Sequence, residues 1–197
     1  MLSAAKERPG SRVQADEMLS QTDDSELAAQ ALRGDRVAFR RLLERHYDLI
    51  YRIARRYVGS AADAEDIAQD VCLTLATRLG QYGGRSRFTT WLCAVAINAC
   101  RDFLRRRKAS EGLVQRYGVL RALGEADQAD DARRTAWLHE ALASLEPTLR
   151  ETVLLVVAEE LSHAEAAEAL GCAESTISWR MHVVKKRLRA RLDEDDG

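Results

Sequence analysis

The sequence predicts an all-α protein of two small helical domains joined by a flexible linker. Three observations support this prediction. Ala, Leu, Arg and Glu, which favour helices, dominate the 197 residues, and Pro occurs only twice. Apolar residues recur at intervals of three and four in both halves of the chain, and no segment has the convincing alternation of a β-strand. Between the two halves, a stretch that mixes Gly, Ala and charge interrupts the periodicity.

The first helical block is predicted over residues 25–108. It follows a polar segment, residues 1–24, that lacks periodicity and is expected to be a mobile tail. Gly34-Asp35 divides a short helix from a long one, and Gly59 ends the long helix because glycine interrupts the helical pattern.

Two further helices complete this block. Ser60 and Asp63 have the spacing of a capping box at the start of one. Thr89 or Thr90 is predicted to cap the other, which begins at Trp91 and runs to about Lys108. This last helix has two faces at helical spacing: an apolar stripe of Leu92, Val95, Ala96, Ala99 and Phe103, and a polar face of Asn98, Arg101, Asp102 and Arg105.

The second block is predicted over residues 135–192, after a linker at 109–134 and before an acidic tail at 193–197. The linker could hold one weak helix over 113–123, and it leaves the two blocks without a fixed spacing. Pro147 opens a helix that runs to about residue 160, since proline is well placed in the first turn of a helix.

The segment from Ser162 to Arg191 is typical of a helix-turn-helix. Ala167 is small where a second helix crosses, Gly171 can adopt the left-handed turn, and Ile177 fills the gap between the two helices. Ser162 and Ser175 are predicted to cap the two helices. Such a second helix can enter the DNA major groove, although an ordinary αα-hairpin is the alternative. Its inner face is predicted to contain Ile177, Met181, Val184 and Leu188.

Charge is nearly balanced overall but unevenly distributed. The formal net charge is −1, which disfavours a polycation that coats nucleic acid without specificity. Basic runs occupy 101–108 and 180–191, and acidic runs occupy 127–131 and 193–196. This pattern is typical of a protein that contacts both DNA and a protein partner.

Several functional classes are disfavoured. No stretch approaches the ~20 apolar residues of a membrane span, and the N-terminus lacks the apolar core of a signal peptide, so a cytoplasmic protein is expected. The four cysteines lie in apolar helical patterns without a CxxC pair, which favours buried free thiols over a zinc site. No metal and no cofactor is expected. The pairs His139-Glu140 and His163–Glu165 lack any accompanying nucleophile motif, so an enzyme is disfavoured.

Three segments together resemble a known family. They are Asp63-Ala-Glu-Asp-Ile-Ala-Gln-Asp70, Phe88-Thr-Thr-Trp-Leu-Cys-Ala-Val-Ala-Ile-Asn98, and Leu145-Glu-Pro-Thr-Leu-Arg150 with the helix-turn-helix. In order and spacing they resemble region 2 and region 4 of bacterial RNA polymerase sigma factors, sigma-70 superfamily, extracytoplasmic-function (ECF) type. The resemblance implies a non-catalytic initiation subunit whose partners are core RNA polymerase, promoter DNA and an anti-sigma factor, without membrane insertion. A stand-alone helix-turn-helix regulator is the alternative.

The resemblance also implies three sets of site residues. The core polymerase is expected to bind Asp63, Glu65, Asp66, Gln69 and Asp70. The −10 element is expected to contact Tyr82, Arg85, Ser86, Arg87, Asn98, Arg101 and Arg105, with Tyr82 stacking on an extruded base. The −35 element is expected to contact Glu174, Ser175, Thr176, Ser178, Trp179, Arg180, His182 and Lys185. The run Ser178-Trp179-Arg180 departs from the Lys-Ser-Arg of many family members.

Overall fold

In the computed structural model, residues 23–110, 141–142 and 144–195 are described. Seven α-helices lie entirely within these residues, which contain no strand, so the predicted all-α class is confirmed. The chain forms two compact units, of which the first ends at Arg45 and the second begins at His46. The predicted tail before residue 23, the linker beyond residue 110 and its weak helix lie outside the described residues.

The first unit begins with α1, Asp24–Leu32, whose N-terminus is capped by the Asp23 carboxylate. Gly34 has a φ of 96°, which breaks the chain before α2, Arg36–Val58. The Asp35 carboxylate accepts hydrogen bonds from the backbone N–H groups of the residues two and three positions later and so caps α2. The predicted division at Gly34-Asp35 is confirmed.

The next helices follow the predicted capping signals in one case and not in the other. Gly59 has a φ of 77° and ends α2, and the Ser60 hydroxyl accepts from the Asp63 N–H at the start of α3, Ala61–Arg78. A 3₁₀ turn, Leu79–Gln81, and a loop lead to α4, Phe88–Ser110. The predicted cap at Thr89 or Thr90 is wrong because α4 begins at Phe88, which places both threonines inside its first turn.

The second half contains one element that periodicity did not predict. Residues 141–142 are helical, and α5, Pro147–Val153, begins with its proline in the first turn as predicted. A π turn, Leu154–Ala158, then replaces the expected continuation of this helix. Its wider winding is seen in the bond from the Glu159 N–H to the Leu154 carbonyl, 3.0 Å across five residues.

The helix-turn-helix consists of α6, His163–Leu170, and α7, Glu174–Asp195. Ser162 and Glu165 form a reciprocal capping box, and Gly171 takes the left-handed conformation at φ 65°. The predicted cap at Ser175 is wrong, because α7 starts one residue earlier, at Glu174, and the N–H groups of Thr176 and Ile177 donate to the Ala173 carbonyl.

The predicted inner face of α7 is confirmed, with Leu188 at its margin. Ile177, Met181 and Val184 are buried, and Leu188 is partly buried. Val184 joins a cluster with three leucines that precede the helix-turn-helix, namely Leu142, Leu145 and Leu149. Helix α7 is thereby fixed to the rest of the second domain by apolar packing.

Shortening the side chain of Ile177 should weaken this packing. Ile177→Val is expected to lower the free energy of unfolding by about 1 kcal/mol, because Ile177 is fully buried and the lost methylene leaves a small void. Urea unfolding followed by circular dichroism measures the change. Trp179→Ala on the outer face of the same helix is the control, with an expected change below about 0.5 kcal/mol. Equal losses in the two variants would contradict the described orientation of α7.

Candidate functional site

The N-terminal half of α3 exposes a row of acidic and amide groups. Glu65, Asp66, Gln69 and Asp70 are exposed and Asp63 is partly buried, while the opposite face, which includes Ile67 and Val71, is buried. Carboxylates near a helix N-terminus are stabilised by the helix dipole. Leu73, one turn further, has 78% of its surface exposed. An acidic strip beside an exposed leucine can receive a basic and partly apolar partner surface.

Two carboxylates of this strip lie against the basic end of α4. The Arg107 guanidinium is 2.6 Å from Asp63, and that of Arg106 is 3.6 Å from Asp70. A groove between α3 and α4 is lined by Asp70, Thr74, Asp102, Arg105 and Arg106, among others. The acidic strip is therefore continuous with the polar face of α4.

The predicted polar face of α4 exists. Asn98 is exposed, and its Oδ1 accepts a hydrogen bond from Arg101 at 3.1 Å. Arg105 pairs with Asp102 at 2.7 Å one turn later. Because Asn98 also keeps an amide N–H₂ at the surface, this face presents donors and acceptors beside guanidinium groups, which suits contact with base edges and phosphates.

The loop before α4 places Tyr82 differently from the sequence prediction. Its side chain is buried, and its hydroxyl donates to the Ser86 carbonyl at 2.9 Å. Its ring lies edge-on to Phe88, with centroids 5.3 Å apart, and 5.5 Å from that of Trp91. The expected stacking of Tyr82 on a base is not available in this geometry, because both ring contacts are with the protein. Arg85 and Arg87 are exposed, and Ser86 is half-buried.

A buried carboxylate connects the two halves of the second unit. Glu151, on α5, is 2% exposed and accepts two hydrogen bonds from Arg101, from Nε at 2.8 Å and from Nη2 at 2.6 Å. It accepts a third from the Tyr57 hydroxyl at 2.7 Å. Burial and the bond to Glu151 raise the pKa of Tyr57, and the same carboxylate raises the pKa of Arg101. These three residues are called the Glu151 cluster.

A second buried carboxylate follows the π turn. Glu159, whose side chain is 3% exposed, pairs with Arg52 at 2.9 Å and with Arg56 of the same helix, α2. Arg56 also donates to the Ala158 carbonyl at 3.1 Å. These residues are called the Glu159 cluster. At the rim, Arg87 pairs with Glu165, whose pKa is held down chiefly by hydrogen bonds from Ser162.

These contacts join the two predicted domains, whose linker beyond residue 110 lies outside the described residues. In this structure α4 packs against α6, and charged groups from α2 and α4 meet those of α5 and of the segment after it. Sequence reasoning missed Glu151 and Glu159 because their partners are 50 to 107 positions away, and common charged residues give no local signal for such pairing.

Helix α4 has a second apolar stripe that the sequence analysis did not identify. Cys93, Ile97, Cys100 and Leu104 recur at intervals of four and three, and the first three are buried. The charges of Glu159 and Glu165 act on the Cys93 thiol, and that of Glu151 acts on Cys100. The stripe therefore lies beside the second domain. The intervals of four and three residues between these positions were the signal in the sequence that could have revealed this stripe.

The prediction that all four cysteines are buried free thiols is confirmed in part. All four are free, and Cys93 and Cys100 are buried, but Cys72 and Cys172 are only half-buried. Burial raises the pKa of both Cys93 and Cys100 from an ordinary value of 9.0 to about 12.

The outer face of α7 contains the residues expected to meet duplex DNA. Trp179 is 62% exposed, and Thr176 and Arg180 are half-buried. The hydroxyl of Ser178 lies 3.0 Å from His163 Nδ1, which links the outer face of α7 to α6. The remaining members of the predicted set are exposed: Glu174, Ser175, His182 and Lys185. Two of them, His182 and Lys185, also line a groove with Lys186 and Arg189.

Two family models match the chain. The family model "Sigma-70 region 2" matches residues 42–110, and "Sigma-70, region 4" matches residues 135–188. The ECF RNA polymerase sigma factor SigM of Mycobacterium tuberculosis (strain H37Rv) is 34% identical over 171 residues, which cover 86% of this chain and 82% of SigM. The RNA polymerase sigma factor CarQ of Myxococcus xanthus is 30% identical over 161 residues, 82% of this chain and 92% of CarQ.

Solved structures share the fold. CnrH, in complex with the cytosolic domain of CnrY, superposes with a TM-score of 0.65 at 26% identity, covering 87% of this chain and 98% of CnrH. The sigma factor RpoE of Bartonella quintana, in complex with the anti-sigma factor NepR, shares the fold with a TM-score of 0.64 at 23% identity, over 79% and 96% of the two chains. The chain belongs to the ECF sigma factors of the sigma-70 family.

Membership of this family makes the chain an RNA polymerase sigma factor, that is, an initiation subunit. Within the ranges that the structure describes, no helix combines the length and the apolar character needed to cross a membrane.

The buried thiols give a direct test of α4 packing. At pH 8, maleimide is expected to modify Cys172 faster than Cys93 or Cys100 by at least about tenfold, because the thiolate is the reactive form and burial raises the pKa of both α4 thiols. The raised pKa also means that the stability from these neutral thiols is present below about pH 9 and lost as the pH rises towards 12.

Peptide mass spectrometry over a time course measures the rates for each thiol. In urea the rates should converge, since the unfolded chain exposes all four thiols. Equal rates in the folded protein would contradict the burial of this stripe.

Proposed function

We propose that this sigma factor binds core RNA polymerase and directs it to promoters by recognising −35 and −10 elements. One observation carries the proposal: matches to both sigma regions occur in a single chain that exposes an acidic helix, a polar α4 face and a recognition helix. Nucleotide addition belongs to the core enzyme, so the chain itself is not a catalyst. It acts in the cytoplasm, where polymerase and chromosome meet. Region 2 is taken as residues 25–108 and region 4 as residues 135–192.

Core polymerase docks on the acidic strip of α3. The exposure of Glu65, Asp66 and Gln69 supports this assignment, as does the exposed Leu73 beside them. Complementary charge accelerates association and fixes register, while an apolar contact adds affinity. A stand-alone helix-turn-helix regulator has no need of such a strip. The full docking set is Asp63, Glu65, Asp66, Gln69 and Asp70.

The −10 element binds the polar face of α4 and the loop before it. Asn98 reads the edge of an extruded base, and the guanidinium groups of Arg101 and Arg105 contact phosphates. Arg85, Ser86 and Arg87 of this loop complete the proposed contact set. Tyr82 supports this loop from below through its bond to Ser86 rather than stacking on the base.

The −35 element binds the outer face of α7. Arg180 supplies a guanidinium for guanine or phosphate, and Lys185 a charge for phosphate. The exposed Trp179, where many relatives of this type have a small residue, offers an apolar surface for thymine methyl groups. The other members of this set are Glu174, Ser175, Thr176, Ser178 and His182.

An anti-sigma factor holds the protein inactive. The structures of CnrH and of RpoE from Bartonella quintana, both similar in fold, contain a bound partner, in the second case a named anti-sigma factor. A partner that covers the exposed strip of α3 would compete with core polymerase for it.

Transcription in vitro with core polymerase and a promoter library tests the proposed function. Transcripts that require this protein and share −35 and −10 sequences are expected. Tight sequence-specific binding of duplex DNA by the protein alone, without stimulation of core polymerase, would favour the stand-alone regulator instead.

Charge reversal on α3 should weaken docking. Asp66→Lys is expected to reduce affinity for core polymerase by about tenfold, because the variant replaces an attractive charge with a repulsive one at the proposed contact. Helicity is expected to stay unchanged because Asp66 is exposed. Asp70 is less suitable for this test since it also lies near Arg106. Fluorescence anisotropy with labelled protein measures the affinity. The control is Glu168→Lys, an equal charge change on exposed α6; undiminished binding by Asp66→Lys would contradict the docking assignment.

Substitutions on the two proposed DNA surfaces are expected to impair different steps. Asn98→Ala is expected to impair strand opening, because an extruded base loses a hydrogen-bond partner, at a cost of about 1–3 kcal/mol. Arg180→Ala is expected to weaken binding of the −35 duplex by a similar amount. Permanganate footprinting of the holoenzyme reports opening, and filter binding of a −35 duplex reports the second contact. Normal opening by Asn98→Ala would show that α4 does not read the −10 strand.

A further inference from the structure

Ser178, on the outer face of α7, makes a hydrogen bond to the neighbouring helix. Its Oγ lies 3.0 Å from Nδ1 of His163, the first residue of α6. A serine within a helix often bonds to a carbonyl of the preceding turn, whereas this hydroxyl is bonded to an imidazole from another helix. His163 is half-buried and Ser178 is exposed, so the pair lies at the surface where the two helices meet.

Both ends of this bond are attached to well-fixed backbone. In α6, the Ser162 hydroxyl accepts from the Glu165 N–H at 3.2 Å, and the Glu165 carboxylate accepts from the Ser162 N–H at 2.9 Å. This capping box fixes the turn that contains His163. In α7, the side chain of Ile177 is fully buried and fixes the rotation of the helix, and with it the direction of Ser178. The separation of Nδ1 and Oγ is therefore set by the helix-turn-helix.

The bond restricts what the Ser178 hydroxyl can offer to DNA. A serine hydroxyl has one proton and can act as donor or acceptor, because it rotates to suit its partner. For this reason an unrestrained serine can bind either kind of base edge. A hydroxyl bonded to Nδ1 has one role left. It either donates to Nδ1 and presents its lone pairs outward, or accepts from Nδ1–H and presents its proton outward.

We propose that His163 is a positioning residue for −35 recognition. By holding the Ser178 hydroxyl in one hydrogen-bonding role, it narrows the base preference at the position that Ser178 contacts. This inference rests on the proposed function, which places Ser178 in the −35 set. A hydroxyl that donates to Nδ1 prefers an amino group, as on adenine N6 or cytosine N4, and a hydroxyl that accepts prefers guanine O6 or thymine O4.

The test measures base preference with the full-length protein and core polymerase. The −35 positions of a promoter found by the transcription assay are randomised, and the sequences retained by the holoenzyme are counted. Ser178→Ala identifies the position that Ser178 reads, as the one whose preference is lost. At this position the wild-type protein is expected to favour one class of base edge by about fivefold, the value of one hydrogen bond.

His163→Phe keeps an aromatic ring and removes Nδ1. The preference at the Ser178 position is expected to fall below about twofold, because the hydroxyl can again serve either kind of base edge. Preferences at the other positions are expected to stay unchanged. A uniform loss of affinity at all positions would show that the bond only joins the two helices, and would overturn the proposal.

His163→Asp makes the prediction directional. The carboxylate oxygen is attached to the same side-chain carbon as Nδ1 and can only accept a hydrogen bond, so the hydroxyl must donate to it. This variant is expected to favour adenine or cytosine at the Ser178 position. Ala164→Asp adds a carboxylate at the next, exposed position of α6 and is the control. It is expected to lower affinity uniformly without changing the preference, and equal preferences in the two variants would contradict the proposal.

A double-mutant cycle tests whether His163 acts through Ser178. In a Ser178→Ala background, His163→Phe is expected to have no further effect on base preference, since the hydroxyl that it orients is absent. A further effect in this background would overturn the proposal, as would wild-type preferences at every position in Ser178→Ala. Circular dichroism checks the fold of each variant, and His163→Asp with its control decides if His163→Phe does not fold. Failure of the proposed function appears separately, as absence of transcription with core polymerase.

Discussion

Helix α4 must bury two of its three faces, and the arrangement of the second unit follows from that requirement. One apolar stripe, which includes Leu92 and Ala96, belongs to the core of region 2, and the other, which includes Ile97 and Cys100, lies beside region 4. Burying an aliphatic side chain is worth about 1.5–3 kcal/mol, so the second stripe strongly favours a covered state. Only the third face, with Asn98, remains at the surface. A sigma factor that separates its domains therefore needs another surface over this stripe, and core polymerase or an anti-sigma factor can provide it.

The charged clusters and the apolar stripe stabilise the interface in different ways. Apolar contact supplies attraction without direction, whereas Glu151 with its three hydrogen bonds accepts only one placement of Arg101 and Tyr57. The same guanidinium belongs to the surface that we propose for DNA binding, so a substitution at Arg101 is expected to alter both the contact with Glu151 and that proposed binding.

Local signals in the sequence were sufficient for local structure. Gly34, Gly59 and Gly171 marked helix ends because the left-handed backbone they adopt is costly for other residues, and Ser162 marked a start through its capping box. The cap prediction failed at Thr89 and Thr90 because α4 begins at Phe88, ahead of both residues. An aromatic residue in a glycine-rich loop was equally compatible with stacking on a base and with packing under the loop, and Tyr82 does the latter.

The relation between the domains was beyond local reasoning. Glu151 and Glu159 resemble many other acidic residues in the sequence, and nothing near them indicates that arginines from a distant helix will surround them. The second α4 stripe was visible in the spacing of its residues but was outweighed by the stronger first stripe. Exposure of the acidic strip and of the α7 face agrees with the sequence expectation, while their contacts with polymerase and DNA remain predictions.

The π turn explains how Glu151 and Glu159 come to serve one surface. In a regular α-helix, residues eight positions apart are about 80° past two full turns, so two such carboxylates would point in different directions. The five residues Leu154–Ala158 wind more widely, which reduces the rotation and brings Glu159 back towards the side of Glu151. The smaller rotation per residue in this segment, rather than any one side chain in it, sets the relative direction of Glu151 and Glu159. A relative of the same family with one residue fewer here would keep its helix-turn-helix and lose the shared surface.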